Sequence, residues 1–226
     1  MRAAFFDVDG TLTTARVWQG LMDYFRVHNT RRATHLFFWL YHLPLYLLRR
    51  MKLISEASFR TPWAAHLAWY FRGYSVEHAE QIWEWVVAER LTDYWRADTC
   101  RILQEHLENE DLVVLVSGGP LPLLKHIGKH LGTPHVVGTS LETRNGKYTG
   151  SSSGPICIDE NKANLAKAYI AENKLAVDLD NSYAYADSTT DLSLLEMVGF
   201  PVAVYPEEDL RIRALEKGWQ IYPPGA

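Results

Sequence analysis

Five short apolar runs alternate with helical patterns along most of this chain, and that alternation restricts the fold more than any other feature. The runs are 2–8, 111–116, 135–141, 183–187 and 200–205, the second reading Asp-Leu-Val-Val-Leu-Val. Apolar residues at helical spacing fall near 120–131, 161–173, 189–198 and 207–217. A crossover helix returns the chain to the same end of the sheet, so strands separated by helices pair in parallel and are covered on both faces. The predicted fold is therefore α/β, with a Rossmann-like, three-layer parallel sheet core. One stretch departs from the pattern. Residues 141–156 hold Asn145-Gly146 and then Ser151-Ser152-Ser153-Gly154-Pro155, which predicts a β-hairpin and a loop into the next helix.

Residues 14–97 break the alternation. They hold seven of the eight tryptophans and no convincing strand, while Ile82, Trp85, Val86 and Leu91 recur at helical spacing. An all-helical insert of three to five helices is expected after the first strand. The chain then divides into a core of 1–13 and 98–226 and a helical unit of 14–97. A length of 226 residues accommodates both.

In an open parallel sheet, ligands bind beyond the carboxyl ends of the strands. Four elements fall at such ends or at helix starts: Asp7-Val8-Asp9-Gly10-Thr11, Ser117-Gly118-Gly119, Lys162, and Asp187-Ser188-Thr189-Thr190-Asp191. Each alone has a bland explanation: an acidic turn, a glycine turn, a solvated lysine, a helix cap. The first also looks like part of a calcium loop, but the remaining ligand positions and the closing Glu are missing. As a set in this order they supply what phosphoryl transfer needs. Asp7 and Asp187 are carboxylates suited to a hard cation such as Mg2+. A carboxylate can attack phosphorus, and a second acid two residues on can serve the leaving oxygen. Ser117, the Gly118 amide and Lys162 offer a hydroxyl, an N–H and a charge to phosphoryl oxygens.

These residues resemble the motifs of the haloacid-dehalogenase superfamily of phosphatases, in its phosphoserine-phosphatase-like branch. The matching segments are Phe6-Asp7-Val8-Asp9-Gly10-Thr11, Val116-Ser117-Gly118-Gly119, Cys157 to Lys162, and Tyr185-Ala186-Asp187-Ser188-Thr189-Thr190-Asp191 through Leu195. The resemblance covers 2–12 and 98–222. It implies that Asp7 is the nucleophile and a metal ligand. Asp9 would be the general acid and base, with its carbonyl on the metal. Ser117, Gly118 and Lys162 would hold the phosphoryl group, and Asp187 would bind Mg2+. Thr11 would steady the loop, and Asp191 would support the metal shell or orient Lys162. It also implies that 14–97 is a cap selecting the substrate. Ala186 stands where the family often has Gly. The branch's amino-acid phosphatases carry a Glu soon after the first motif, but here no acid falls between Asp9 and Asp23, which argues against an amino-acid substrate. Phosphotransfer to an acceptor other than water, or a non-catalytic binding protein on the same fold, are the alternative readings.

Charge bears on partners. The total is −4, which gives no sign of nucleic acid. Residues 24–55, however, contain no Asp or Glu and carry Arg26, Arg31, Arg32, Arg49, Arg50 and Lys52, so a local +6 stands against −10 elsewhere. Between the arginine pairs runs an apolar, aromatic segment, 36–48, too short to span a bilayer and expected to kink or end at Pro44. Packing of the helical unit, a homodimer contact, and peripheral contact with anionic lipid all fit such a segment. A small-molecule or lipid phosphomonoester, such as a phosphatidylglycerophosphate or lysophosphatidate, is the expected substrate. Two cysteines without a CxxC pair and a first segment unlike a secretion signal predict a cytoplasmic protein, with the inner face of the membrane as a second station.

Overall fold

The computed structural model describes residues 1–225. The elements in chain order are β1 (Ala3–Phe6), α1 (Val17–Val27), α2 (Arg32–Arg50), α3 (Glu56–His66), α4 (Val76–Trp85), α5 (Ala97–Glu108), β2 (Leu112–Pro120), α6 (Leu121–Leu131), β3 (Val136–Thr139), β4 (Leu141–Arg144), β5 (Lys147–Ser152), α7 (Glu160–Glu172), β6 (Tyr183–Ala186), α8 (Leu192–Glu196), β7 (Phe200–Val204), α9 (Glu208–Lys217) and β8 (Gln220–Tyr222). A 3-10 turn, Leu67–Phe71, follows α3, and α4 continues through a π-helical stretch, Val86–Leu91.

Six strands form one parallel sheet in the order β3-β2-β1-β6-β7-β8. The chain winds one way from β1 to β3 and the other way from β6 to β8, so the strand order reverses beside β1. The crevice at such a reversal is where open α/β sheets bind ligands. The adjacent strands β1 and β6 run directly into the Asp7 and Asp187 loops, and Ser117 lies in the last part of β2 beside them. β4 and β5 form the antiparallel hairpin predicted around Asn145-Gly146.

The period of two splits the core between the sheet faces. Ala4 and Phe6 point to one side, with Val113, Leu115, Leu123 and Ile127. Ala3 and Phe5 point to the other, with Ala166, Leu194, Leu195 and Leu210. The first of these cores continues into the helical insert through Leu21, Phe25, Phe38 and Trp83. The insert thus packs on the sheet side that the α6 residues also cover. Its end meets the β4–β5 hairpin: Gly73 N–H donates to the Tyr148 carbonyl at 2.8 Å, and Tyr148 N–H donates to Tyr74 at 2.9 Å.

Entry to and exit from the insert lie side by side. The Thr14 N–H donates to the Tyr94 carbonyl at 2.9 Å, and the Arg96 N–H donates to the Leu12 carbonyl at 2.8 Å. Thr13 and Trp95 form an antiparallel bridge between those bonds.

Three local features differ from the sequence expectation. Helix α5 and the three-residue strand β8 extend the core beyond the predicted elements. The α5 sequence does carry apolar residues at helical spacing, Cys100, Leu103 and Leu107, but it falls at the boundary drawn between the helical unit and the core. Pro44 neither ends nor splits α2, which runs unbroken from Arg32 to Arg50. Proline removes one N–H and frees the carbonyl four residues back. Both Pro44 and Leu40 are exposed, so water can satisfy that carbonyl.

Candidate active site

Asp7 directly follows β1 and is buried, and its N–H donates to the Tyr185 carbonyl of β6 at 2.9 Å. This bond sets the β1 loop against the β6 loop. Both carboxylate oxygens of Asp7 have partners. Oδ1 accepts from Lys162 Nζ at 2.6 Å, and Oδ2 accepts from Thr11 Oγ1 at 3.3 Å. Lys162, in the first turn of α7, also donates to Asp191 Oδ1. Burial works against the Lys162 charge, but Asp191 and Asp7 outweigh it and hold the amine above its ordinary value.

Gly10 lets the two acidic loops approach. Its φ is +94°, and a Cβ there would stand 1.9 Å from Asp187 Oδ2. Asp7, Asp187 and Asp191 consequently present carboxylate oxygens within 4.8 Å of one another, all buried. Burial, with Asp7 next, pushes the Asp187 carboxyl well above its usual range. Burial also raises Asp191, although Lys162 pulls it back. Such crowding is what a divalent cation relieves.

Asp9 stands apart from that trio. Its Oδ1 accepts the Val17 N–H, at the first residue of α1, at 2.7 Å. Its carbonyl accepts from Arg16 Nη1 at 3.0 Å, and the same guanidinium nitrogen lies 3.7 Å from Asp187 Oδ2. The Asp9 carbonyl and the Asp187 carboxylate thus converge from two strand ends on one positive group. Burial, then the Asp7 charge, raises the Asp9 carboxyl to about 6. Lys162 and Arg16 lie against these acids, yet burial and the neighbouring carboxylates still hold Asp9, Asp187 and Asp191 above their usual range, so the local cations do not fully relieve the crowding. The donor set and the charge both fit a hard divalent ion held by oxygen ligands.

Ser117 and Gly118 close the crevice from β2. Ser117 is buried, and its Oγ accepts the Gly119 N–H at 3.2 Å. A side chain on Gly118 would meet Ile158 at 3.1 Å. All of the predicted residues except Thr11, which sits behind Asp7, line one cavity of about 650 Å3. A shallower depression of about 680 Å3, beside Phe200 and Trp219, contains none of them.

The other wall comes from the insert and adds residues that sequence reasoning did not select. Arg60, on α3, reaches the core loop. Its Nη1 donates to Ser188 Oγ at 3.1 Å and to Thr190 Oγ1 at 3.2 Å, while Nη2 donates to Glu207 at 3.4 Å. Arg16 Nη2 lies 3.6 Å from the same Glu207 carboxylate. Trp18, Trp39, Tyr46, Phe59 and Trp63 complete an aromatic wall. From the sequence Arg60 could reach a substrate, but a helix-face arginine is more often solvent-exposed, and docking of the insert on the core determines what it reaches.

A family model of haloacid dehalogenase-like hydrolases matches residues 4–196. The chain belongs to this family. Within the haloacid-dehalogenase family it falls in the phosphoserine-phosphatase-like branch and is a phosphatase. It is 31% identical over 229 residues to a phosphoserine phosphatase of Mycobacterium tuberculosis, covering 97% of this chain and 70% of that protein. It is 30% identical over 158 residues to a histidinol-phosphatase of Neisseria meningitidis, covering 69% and 71% respectively. Among solved structures, a protein of unknown function from Bordetella pertussis superposes with a TM-score of 0.83 at 24% identity, covering 97% of each chain. A phospho-aspartyl intermediate analogue of phosphoserine phosphatase superposes with a TM-score of 0.61 at 17% identity, covering 97% and 91%. Phosphatases of this family generally use Mg2+, and the buried Asp7, Asp187 and Asp191 fit a metal site.

Proposed function

We propose that this chain hydrolyses a phosphomonoester through an aspartyl-phosphate, with Asp7 as nucleophile and Asp9 as general acid and base. The placement of Asp7 carries the reading. Its carboxylate is buried at the strand-order reversal, fixed by Lys162 and Thr11, with Asp9 on the same loop. An Asp7 oxygen attacks phosphorus as the ester P–O bond breaks, and Asp9 gives its proton to the departing alkoxide. Asp9 then takes a proton from water, whose oxygen attacks the phosphorus and returns Asp7 as a carboxylate. A carboxyl with its pKa raised to about 6 suits both proton transfers near neutral pH. Ser117 and the Gly118 amide bind phosphoryl oxygens, and Lys162 balances their charge. Mg2+ held by Asp7, Asp187 and the Asp9 carbonyl, with Asp191 in support, would neutralise charge on the phosphoryl oxygens.

Residues 14–97 act as the cap that selects the ester. Its share of the cavity is aromatic and apolar, with Arg16, Arg49 and Arg60 and no acid. A free ammonium, as on an amino-acid phosphate, finds no carboxylate on that share, and Glu207 on the core side is already held by Arg16 and Arg60. An apolar or aromatic leaving group, including a phospholipid monoester, finds a matching wall. Mg2+-dependent hydrolysis of p-nitrophenyl phosphate, lost in D7N with the fold retained, tests the chemistry; turnover by D7N near wild type overturns it. A panel of soluble and lipid-linked monoesters tests the substrate class. A clear preference for amino-acid phosphates would refute it.

A further inference from the structure

Helix α2 has an unusual division of faces. Of its nineteen residues only Phe38 and His42 are buried. Leu36, Phe37, Leu40, Tyr41, Leu47 and Met51 are 50 to 67% exposed. At 3.6 residues per turn these six occupy one continuous side of the helix, opposite Phe38 and His42. Eleven of the seventeen large hydrophobic side chains exposed among the described residues fall between Leu36 and Leu53. A contiguous patch of this kind marks an interaction surface.

The charges at its ends are equally one-sided. Arg32 and Arg50 are eighteen residues apart, which is five turns, so both stand on the same edge of the apolar side. Lys52 follows. Neither Arg32, Arg50 nor Lys52 enters an ion pair among the described residues, whereas Arg49 pairs with Glu56 at 2.9 Å. Local helix stability accounts for Arg49 and Arg50 in the last turn, where cations complement the dipole, but not for the cations at the other end. Arginines in the first turn oppose the helix dipole, and Arg31 precedes the helix with φ +58° and no side-chain cap.

The same helix reaches the active-site cavity. Trp39, Leu43 and Tyr46, on the flank next to the exposed apolar side, line it. The apolar surface therefore passes from the outside of α2 into the pocket wall.

We infer that α2 lies in the interfacial plane of an anionic bilayer, its apolar side toward the acyl chains and its terminal cations among the phosphates. No helix of the described residues is long and apolar enough to cross a membrane, which leaves lying on it. A second copy of the chain is the competing occupant. A two-fold contact through α2 would bring Arg32, Arg50 and Lys52 of both copies together, cations that no carboxylate of segment 24–55 answers, whereas Arg26 and Arg49 are already paired with Asp23 and Glu56. An anionic lipid surface answers both the apolar face and its charge. This inference rests on the shape and charge of α2 and does not require the aspartyl-phosphate chemistry.

The test is flotation of the full chain with phosphatidylcholine vesicles and with vesicles that also contain phosphatidylglycerol, at low and high salt. Binding is expected only to the anionic vesicles and is expected to weaken with salt. L40E/L47E and R50E/K52E should each weaken it roughly tenfold or more. Both variants should keep the wild-type rate on p-nitrophenyl phosphate, which shows that they fold. Absence of wild-type binding to anionic vesicles overturns the inference, as does binding unchanged in L40E/L47E. A wild-type dimer that L40E/L47E dissociates, without any vesicle binding, assigns the face to a second copy and overturns it too.

Discussion

The Asp9 carboxylate accepts the backbone N–H of Val17 at 2.7 Å, so the acid of the first motif is oriented by the first residue of the helical insert. The position of this side chain therefore depends on where α1 begins, as well as on the β1 loop.

If Asp9 protonates the leaving oxygen, its loss should matter most for poor leaving groups. D9N is expected to lower kcat on an alkyl phosphate by about 10^2-fold or more, and by less on p-nitrophenyl phosphate, whose phenolate departs without a proton. V17P removes the Val17 N–H, since proline is tolerated at the first helical position and Arg16 already has extended backbone, and V17A, which keeps the N–H, controls for the loss of the buried valine side chain. A smaller loss with the same leaving-group bias is expected of V17P. Equal losses on both esters would show that Asp9 acts elsewhere in the cycle.

Lys162 is the buried counter-charge of Asp7 and Asp191. Replacing it by Met strands two carboxylates, at a cost of about 3–5 kcal/mol. K162M should melt well below wild type in metal-free buffer, and Mg2+ should raise its Tm by more than it raises that of wild type. Thermal scans with EDTA and with Mg2+ decide this. An unchanged Tm would mean that the lysine does not offset those charges.

Arg60 spans from the insert to the core loop and faces the cavity. R60A is expected to raise KM about tenfold with a smaller change in kcat, as expected for lost substrate binding. R60K should recover only part, because an ammonium cannot bond Ser188, Thr190 and Glu207 in the guanidinium's fork geometry. Steady-state kinetics on a single ester is sufficient, and a wild-type KM in R60A contradicts the assignment.

His42 is buried between α2 and α3, its Nε2 3.2 Å from His66 Nδ1. Burial, with His66 next, pushes its pKa down to about 4. In the unfolded chain an imidazole takes up its proton near pH 6.5. Between those values the unfolded state binds more protons, so stability is complete above about pH 6.5 and declines as pH falls toward about 4. The decline from this group is on the order of 2–3 kcal/mol. Urea midpoints at several pH values should show it in wild type and show a shallower slope in H42F; identical slopes would rule it out.

The side of the site built by strand ends was legible in the sequence, and the side built by the insert was not. Asp7 and Asp187 follow β1 and β6 and Ser117 lies in the last part of β2, and parallel pairing of those strands brings these positions together whatever the helices do. Lys162 was found for a related reason, at the start of the helix that follows the hairpin. Arg16, Arg60 and Trp39 depend on how the helices of residues 17–91 dock against the core, and no periodicity encodes that. Helix α2 does not end at Pro44, against the expectation of a kink or an end there, because the residue whose carbonyl the proline frees, Leu40, is exposed to water. The same exposure accounts for the excess of apolar residues, which a core-packing account of 36–48 leaves unexplained.

The paired crossing at Thr13 and Trp95 also has a consequence for engineering. Because the chain leaves the core and re-enters it through adjacent, mutually bonded segments, the two cut ends left by excising the helices between them would already be within reach of a short turn. The site is thus a natural port: a foreign domain whose own termini are close together can be spliced there without asking β1 and α5 to move.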